Sequence, residues 1–300
     1  MSEPTNAAQA QHPSGPLAKH HFLLRRLHSL SGILPVGVFL CMHLFTNAQM
    51  IWGQEEGPDA ASHFQHEVDF IHAMPALLFI EITLWLSIGF HAALGFWYTF
   101  TGKSNVKSYK YGGNWRYLFQ RITGMVALLF IFLHIATLRW RWDLFGWFSP
   151  FYGHGGVNAD GEVFGHNVPM ALPYTAYALQ VSWLVVAFYA VGVLSAVYHW
   201  SNGLWTAAIS WGITTSEAAM KRWGVACLGL FVVLMAFSVT GIVAALVYDL
   251  EEDTTPEQKA VLATVIEDTE RADELWGSIP SERRDALREW IKHEINEYND

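Results

Sequence analysis

Five long segments of this chain carry almost no charge, and they constrain the fold more than any other feature. They approach or exceed the roughly 20 residues that a helix needs to cross about 30 Å of hydrocarbon. Trp and Tyr are frequent at their flanks, as in the aromatic belts of membrane proteins. We name them spans I to V: 33–52, 70–102, 122–138, 174 to just beyond 199, and 223–248. They predict an all-α integral membrane protein with five transmembrane helices.

The net charge of -9 is unevenly distributed along the chain. Residues 1–248 contain 12 basic and 11 acidic residues, whereas residues 249–300 contain 6 basic and 16 acidic ones. We therefore expect a polar, disordered lead (1–21), a five-helix domain (22–248) and an acidic helical extension (249–300). In the extension, Thr255 to Gln258 reads as a helix-capping box, and the pattern predicts two short amphipathic helices. These helices are equally compatible with a solvated appendage and with a docking surface.

The distribution of Lys and Arg predicts the orientation. With the N-terminus inside, ten basic residues occupy inner segments, and only Arg139 and Arg141 occupy outer segments before the tail. This asymmetry favours a cytoplasmic N-terminus, with the tail outside. The first twenty residues do not resemble a cleaved signal peptide. We expect contact with membrane lipid and no nucleic-acid partner.

Four spans each carry one histidine at membrane depth. Ionisable groups within spans are uncommon and usually functional, although a single histidine on an apolar helix is more often a core residue. The depth of each histidine in the membrane follows from its distance to the flanking arginines at a rise of 1.5 Å per residue. Two histidines then fall in the outer half of the membrane and two in the inner half, and these two levels are only ~5 to 10 Å apart. No CxxCH motif is present, so a haem would be held by axial ligands alone. We expect two bis-histidine haems b, on His43 with His134 and on His91 with His199.

Glycines at helical spacing fit this hypothesis. Gly95 follows His91 by four residues, Gly203 follows His199 by four, and Gly32 precedes His43 by eleven. A flat macrocycle could lie against the backbone at such positions, although glycines also serve ordinary helix packing.

Acidic side chains and a histidine near the outer end of span II are candidates for a quinone site. Glu67, Asp69 and His72 lie where this helix enters the membrane, and Glu81 lies two to three turns further in. Quinone chemistry there needs a group that passes protons to water. The alternative is that the acidic residues are the solvated start of a helix, where the dipole favours them. A site at the cytoplasmic end near His28, which also suits a haem propionate, remains open.

Four segments carry a family resemblance: RRLHSLSGILPVGVFLCMHL, FHAALGFWYTFTGK, NWRYLFQRITGMVALLFIFLH and GVLSAVYHWSNGLWTAAISWGIT. Together they resemble the cytochrome b558 membrane subunit of bacterial succinate dehydrogenase, of the single-chain, five-helix, di-haem type. The resemblance extends from about residue 22 to 248. The long 139–173 region and the acidic tail depart from the family pattern.

The resemblance implies that four helices form a di-haem bundle. His91 and His199 would ligate the inner, higher-potential haem iron, and His43 and His134 the outer, lower-potential one. It also implies a location in the bacterial cytoplasmic (inner) membrane. The implied partners are a flavoprotein and an iron–sulfur protein on the cytoplasmic face, with menaquinone as the usual electron acceptor.

The function that we expect is electron transport in succinate dehydrogenase, an enzyme of the tricarboxylic acid cycle, without the succinate site itself. One alternative is the di-haem cytochrome b of another oxidoreductase, such as a hydrogenase or a formate dehydrogenase. Another is a non-redox membrane anchor or transporter. Succinate oxidation and fumarate reduction use similar anchors, so the sequence leaves the direction of catalysis open.

Overall fold

The computed structural model describes residues 20–53, 63–102, 106–138, 168, 170–266 and 269–299. In these ranges the chain forms helices and turns and no strand. Five helical segments are long and apolar enough to cross a membrane: His21–Trp52, Leu77–Thr101, Gly112–Leu138, Trp183–Ser210 and Glu217–Val247. The predicted all-α architecture with five spans is confirmed.

The first span is a helix with a break in its middle. Helices α1 (His21–Ile33) and α2 (Pro35–Ala48) meet at Leu34, and a 3₁₀ turn, Gln49–Trp52, completes the segment. Pro35 lacks an N–H donor and occupies the first turn of α2, a position that tolerates proline. The helix thus begins well before residue 33, the predicted start of span I, and covers 32 residues.

Span II was predicted as one helix over 70–102, and this was wrong. Helix α3 (His63–His72) ends before a turn at residues 73–76, and α4 (Leu77–Thr101) begins after it. Pro75 lies in this turn. Proline disfavours helical backbone at the residue before it and clashes with the preceding turn, which explains the break.

Span IV begins later than predicted. Span III is α5 (Gly112–Leu138), and the next two helices are α6 (Ala171–Gln180) and α7 (Trp183–Ser210). Tyr174 is therefore buried in α6 and not at the start of the span. Pro173 is accommodated because it lies in the first turn of α6, and the Ser182 side chain starts α7 by accepting a hydrogen bond from the Leu184 N–H.

Helices α1, α2, α4, α5 and α7 surround the four histidines, and α8 (Glu217–Val247) packs against α2 and α7. Close approach depends on small residues. The Trp200 indole of α7 lies against Gly37 of α2, and the Phe130 ring of α5 lies against Gly192 of α7. We call the end where α1, α5 and α8 begin the N-terminal end of the bundle, and the opposite end the tail end.

The tail contains three described helices where two were predicted: α9 (Pro256–Val265), α10 (Thr269–Ser278) and α11 (Ser281–Asn299). The predicted capping box is confirmed, because the Gln258 N–H donates to Thr255 Oγ1 and the Thr255 N–H donates to Gln258 Oε1. The prediction missed α10 because its polar sequence, TERADELWGS, offers few apolar positions.

The tail packs onto the tail end of the bundle. Leu262, Ile266 and Leu275 share one buried core with Leu172 of α6 and Tyr248 at the end of α8. Just before α9, the backbone N–H groups of Glu252 and Glu251 donate to Asp249 and hold the pKa of its carboxyl below the usual range. The extension is thus continuous with the end of the membrane bundle.

Two histidine pairs as the candidate functional site

The first pair joins His91 of α4 to His199 of α7. Their ring centres are 6.0 Å apart, with the ring planes at 87°. His91 Nδ1 lies 2.7 Å from the backbone oxygen of His28, and His199 Nδ1 lies 3.0 Å from that of Gln120. When Nδ1–H donates to a carbonyl, Nε2 is left to bind a metal, and the ring orientation is fixed.

The second pair joins His43 of α2 to His134 of α5. Their ring centres are 5.9 Å apart, with the planes at 70°. His134 Nδ1 lies 2.9 Å from the Tyr189 hydroxyl oxygen, which leaves its Nε2 for a ligand. His43 differs, because its Nε2 lies 3.2 Å from the amide nitrogen of Asn47 one turn later. An iron at this nitrogen requires the Asn47 amide to turn away.

Both pairs have the spacing of a bis-imidazole iron site. A metal–imidazole bond is about 2 Å long, and each ring centre lies about 1 Å beyond its nitrogen, so two axial rings stand about 6 Å apart. Both observed separations match this value. Within the described residues, no group of three or more His, Cys, Asp or Glu side chains could hold a metal ion, whereas a haem needs only two protein ligands.

Glycines do lie beside the first pair, but they belong to other helices than predicted. A Cβ at Gly32 of α1 would collide with the His91 ring, and one at Gly124 of α5 would come within 2.7 Å of His199 Cε1. The glycines on the histidines' own helices have other neighbours: Gly95 lies beside His28, and Gly203 lies beside Gln120, so their role beside a haem stays a prediction. Gly32 therefore serves His91 and not His43.

Buried polar atoms without partners lie on helices that form or contact the first pair. His28 stacks on His91 with ring centres 4.0 Å apart, and Tyr98 packs edge-on against His28. Four atoms near this end are buried and have no hydrogen-bond partner: Arg26 Nε, His28 Nδ1, Tyr98 Oη and Arg121 Nε. A group with carboxylates, such as the propionates of haem, fits these donors.

Comparison with known proteins gives one curated relative. The chain is 31% identical over 223 residues to the succinate dehydrogenase cytochrome b558 subunit of Bacillus subtilis (strain 168), covering 74% of this chain and 96% of that protein. The chain belongs to the succinate dehydrogenase cytochrome b558 subunit family. No protein-family model and no solved structure match it. The resemblance seen in the four sequence segments is confirmed.

The two pairs of this cytochrome b558 subunit are further apart than predicted. Eleven residues separate Gly32, beside His91, from His43, and ten separate Gly124, beside His199, from His134. At 1.5 Å per residue the pairs stand about 15 Å apart along the helices. The separation of ~5 to 10 Å predicted from the sequence was too small. It was obtained by measuring the depth of each histidine from the flanking arginines, and these arginines do not lie at one level.

The quinone-site candidates of this cytochrome b558 subunit are divided between two helices. Glu67, Asp69 and His72 lie on α3, and Glu81 lies on α4 beyond the turn. Two of them have partners within α3, because Gln65 donates to Asp69 at 2.8 Å and His72 Nδ1 lies 2.8 Å from the Val68 backbone oxygen. Their role in a quinone site stays a prediction.

Sequence reasoning missed three residues that orient the histidines. Gln120 and Tyr189 contact His199 and His134, and His28 was treated mainly as an interface residue. Tyr189 lies ten residues before His199 on the same apolar helix, where no polar partner was expected. The only sequence signal for these contacts was the polar residue Gln120 in the segment QRITG. This segment is similar to RRLHSLSG at residues 25–32.

Proposed function

We propose that this chain is the di-haem membrane anchor of a succinate dehydrogenase complex. In this role it carries electrons from an iron–sulfur subunit through two b haems to membrane quinone, with menaquinone as the expected acceptor. The carrying observation is the two histidine pairs, each with ring centres near 6 Å apart, the first between α4 and α7 and the second between α2 and α5. Family membership supports the named complex.

The residues of the chain hold and orient the proposed cofactor. His91 with His199 would hold one haem, and His43 with His134 would hold the other. Carbonyl groups and the Tyr189 hydroxyl set which ring nitrogen faces the iron. Each haem, when bound, supplies one-electron redox chemistry, and the apolar helices keep water from it. Arg26 and Arg121, whose Nε atoms are buried without a partner, would offer donors to the propionates.

The separation of the pairs suits electron transfer across the bundle. The α1/α2 segment and α5 each contribute to both sites, with a glycine at the first and a histidine at the second. Because the same two helical segments carry residues of both sites, they set the distance between the two histidine pairs at about 15 Å. We place the iron–sulfur and flavoprotein partners on the cytoplasmic side, at the N-terminal end of the bundle, and quinone reduction near the second pair.

The test is purification of the native complex with its haem content and subunit composition. We expect two haems b per chain, a b-type α band on reduction, and a flavoprotein with an iron–sulfur subunit. Colourless protein would overturn the proposal in favour of a non-redox anchor. Co-purification with hydrogenase or formate dehydrogenase subunits would assign the cytochrome to another complex.

The proposed orientation predicts where the tail lies. A reporter fused after Asp300 should be active only outside the cytoplasm, because five spans follow a cytoplasmic N-terminus. The control is the same reporter inserted at Gly212, in the turn between α7 and α8, which should report the cytoplasm. A cytoplasmic signal from the Asp300 fusion refutes the orientation.

The quinone site predicts a loss of turnover without a loss of haem. Among Glu67→Gln, Asp69→Asn, His72→Ala and Glu81→Gln, at least one variant should lower succinate:quinone activity about tenfold or more, because it removes a proton-transfer group. Haem spectra should not change. Glu217→Gln, an exposed acid at the opposite end, is the control. If all four variants keep full activity, the site lies elsewhere, and His28 becomes the next candidate.

A further inference from the structure

An open cleft lies at the N-terminal end of the bundle, away from the histidine pairs. Its volume is about 480 Å³. Arg116 of α5 and Trp205 of α7 form one wall, and α8 forms the other through Lys221, Gly224, Val225 and Leu228. Cationic and apolar side chains therefore meet in one concave surface.

Arg116 is held in place with its donors available. Its guanidinium carbon lies 4.0 Å from the Trp205 ring centre. The Trp205 Nε1–H donates to the Met220 carbonyl at 3.1 Å, and Gly224 makes room for the stacked pair. Stacking uses the flat face of a guanidinium and leaves the N–H groups at its edge free for an anion. In the described part of the chain, no ion pair or side-chain hydrogen bond of Arg116 is found.

The cleft keeps a positive charge despite one acidic neighbour. Glu217 lies 2.8 Å from Lys221, and their side chains are 83% and 74% exposed. Such a surface pair is weak and rearranges readily, so Lys221 is available to a stronger anion. Arg116 then contributes a second cation with no acid paired to it. The charge of the cleft is therefore complementary to an anionic group.

An apolar stripe on α8 leads from the cleft toward the middle of the span. Val225, Leu228 and Val232 are 71%, 58% and 57% exposed. Their spacing of three and four residues places them on one face of the helix. A ligand that uses both features has an anionic head and a hydrocarbon chain.

We propose that this cleft binds one phospholipid with an anionic headgroup. Its phosphate contacts the Arg116 guanidinium and Lys221, and one acyl chain lies along Val225, Leu228 and Val232. A neutral quinone can accept hydrogen bonds through its carbonyl oxygens but brings no charge to balance the two cations, and a soluble phosphate makes no use of the apolar stripe. This inference is independent of the proposed haem function.

The test uses the full-length chain, purified and delipidated, with dioleoyl phosphatidylglycerol titrated in and bound lipids counted by native mass spectrometry. Arg116→Gln should raise the dissociation constant of one lipid about tenfold or more, because a charged hydrogen bond is lost. Lys110→Gln removes the same charge from an exposed position outside the cleft and should change nothing. Val225→Trp fills the cleft without altering its charge and should also weaken binding.

Three results would overturn the proposal. Wild-type affinity in Arg116→Gln means that the guanidinium binds no headgroup. Competition by glycerophosphoglycerol, which has the head without the chains, at the concentration effective for the intact lipid means that the stripe contributes nothing. One-for-one displacement of the lipid by a menaquinone analogue assigns the cleft to quinone.

Discussion

Replacing His199 with alanine is expected to lower the haem content from two per chain to one. In the proposed site this imidazole would be one of the two side chains that hold the haem, and alanine offers no donor atom. His91→Ala should remove the same component in a potentiometric titration, because the two rings lie 6.0 Å apart. His43→Ala and His134→Ala should both remove the other component. Haem content by pyridine haemochrome and the number of midpoint potentials are the measurements.

The matched control is His72→Ala, which removes an exposed histidine on α3 whose ring nitrogen contacts only its own helix. It should keep both haems. Loss of the same component from the His43 and His91 variants would show that the pairs are wrongly assigned.

Gly124→Val is expected to empty the His91/His199 site while leaving all four histidines in place. A Cβ at residue 124 would lie 2.7 Å from His199 Cε1, and the ring cannot retreat without breaking its contact with the Gln120 carbonyl. Gly32→Val acts on His91 in the same way from a different helix. Both variants should lose the component that His199→Ala loses, with spectra and redox titration as the readout.

Gly89→Val is the control, because nothing lies within 4 Å of a Cβ at that position on α4. It also introduces a β-branched residue into a span, so any general effect on the helix should appear there. Loss of the His43/His134 component from Gly124→Val would contradict the assignment of this glycine.

The grouping of the histidines by level was predictable, because the rise per residue of a helix is fixed. The four histidines were therefore grouped correctly by depth, although the distance between the two levels was not. Helix breaks were harder to predict. Pro75 was a clear sequence signal for the turn before α4. The break between α6 and α7 is marked by Ser182, and a serine alone is a weak signal because it occurs in many sequence contexts.

Contacts between helices were beyond the reach of the sequence. Periodicity shows which residues share a face of one helix but not which neighbouring helix covers that face. For this reason Gly95 was assigned to His91, although the glycine beside that ring is Gly32. The hydrogen bond from His134 to Tyr189 depends on the rotation of α5 against α7, which no single segment specifies.

The buried core at the tail end has a consequence for biogenesis. It joins Phe64, Leu172 and Tyr248 to Val261 and Leu275, which come later in the sequence. Ribosomes deliver a chain from its N-terminus, so the membrane helices are synthesised before the segments that complete this core. All four histidines of the proposed haem sites have therefore been translated once the ribosome passes residue 199, whereas the core at the tail end needs the residues that follow Tyr248. During synthesis there is thus an interval in which all four histidines are present and the core at the tail end is still incomplete.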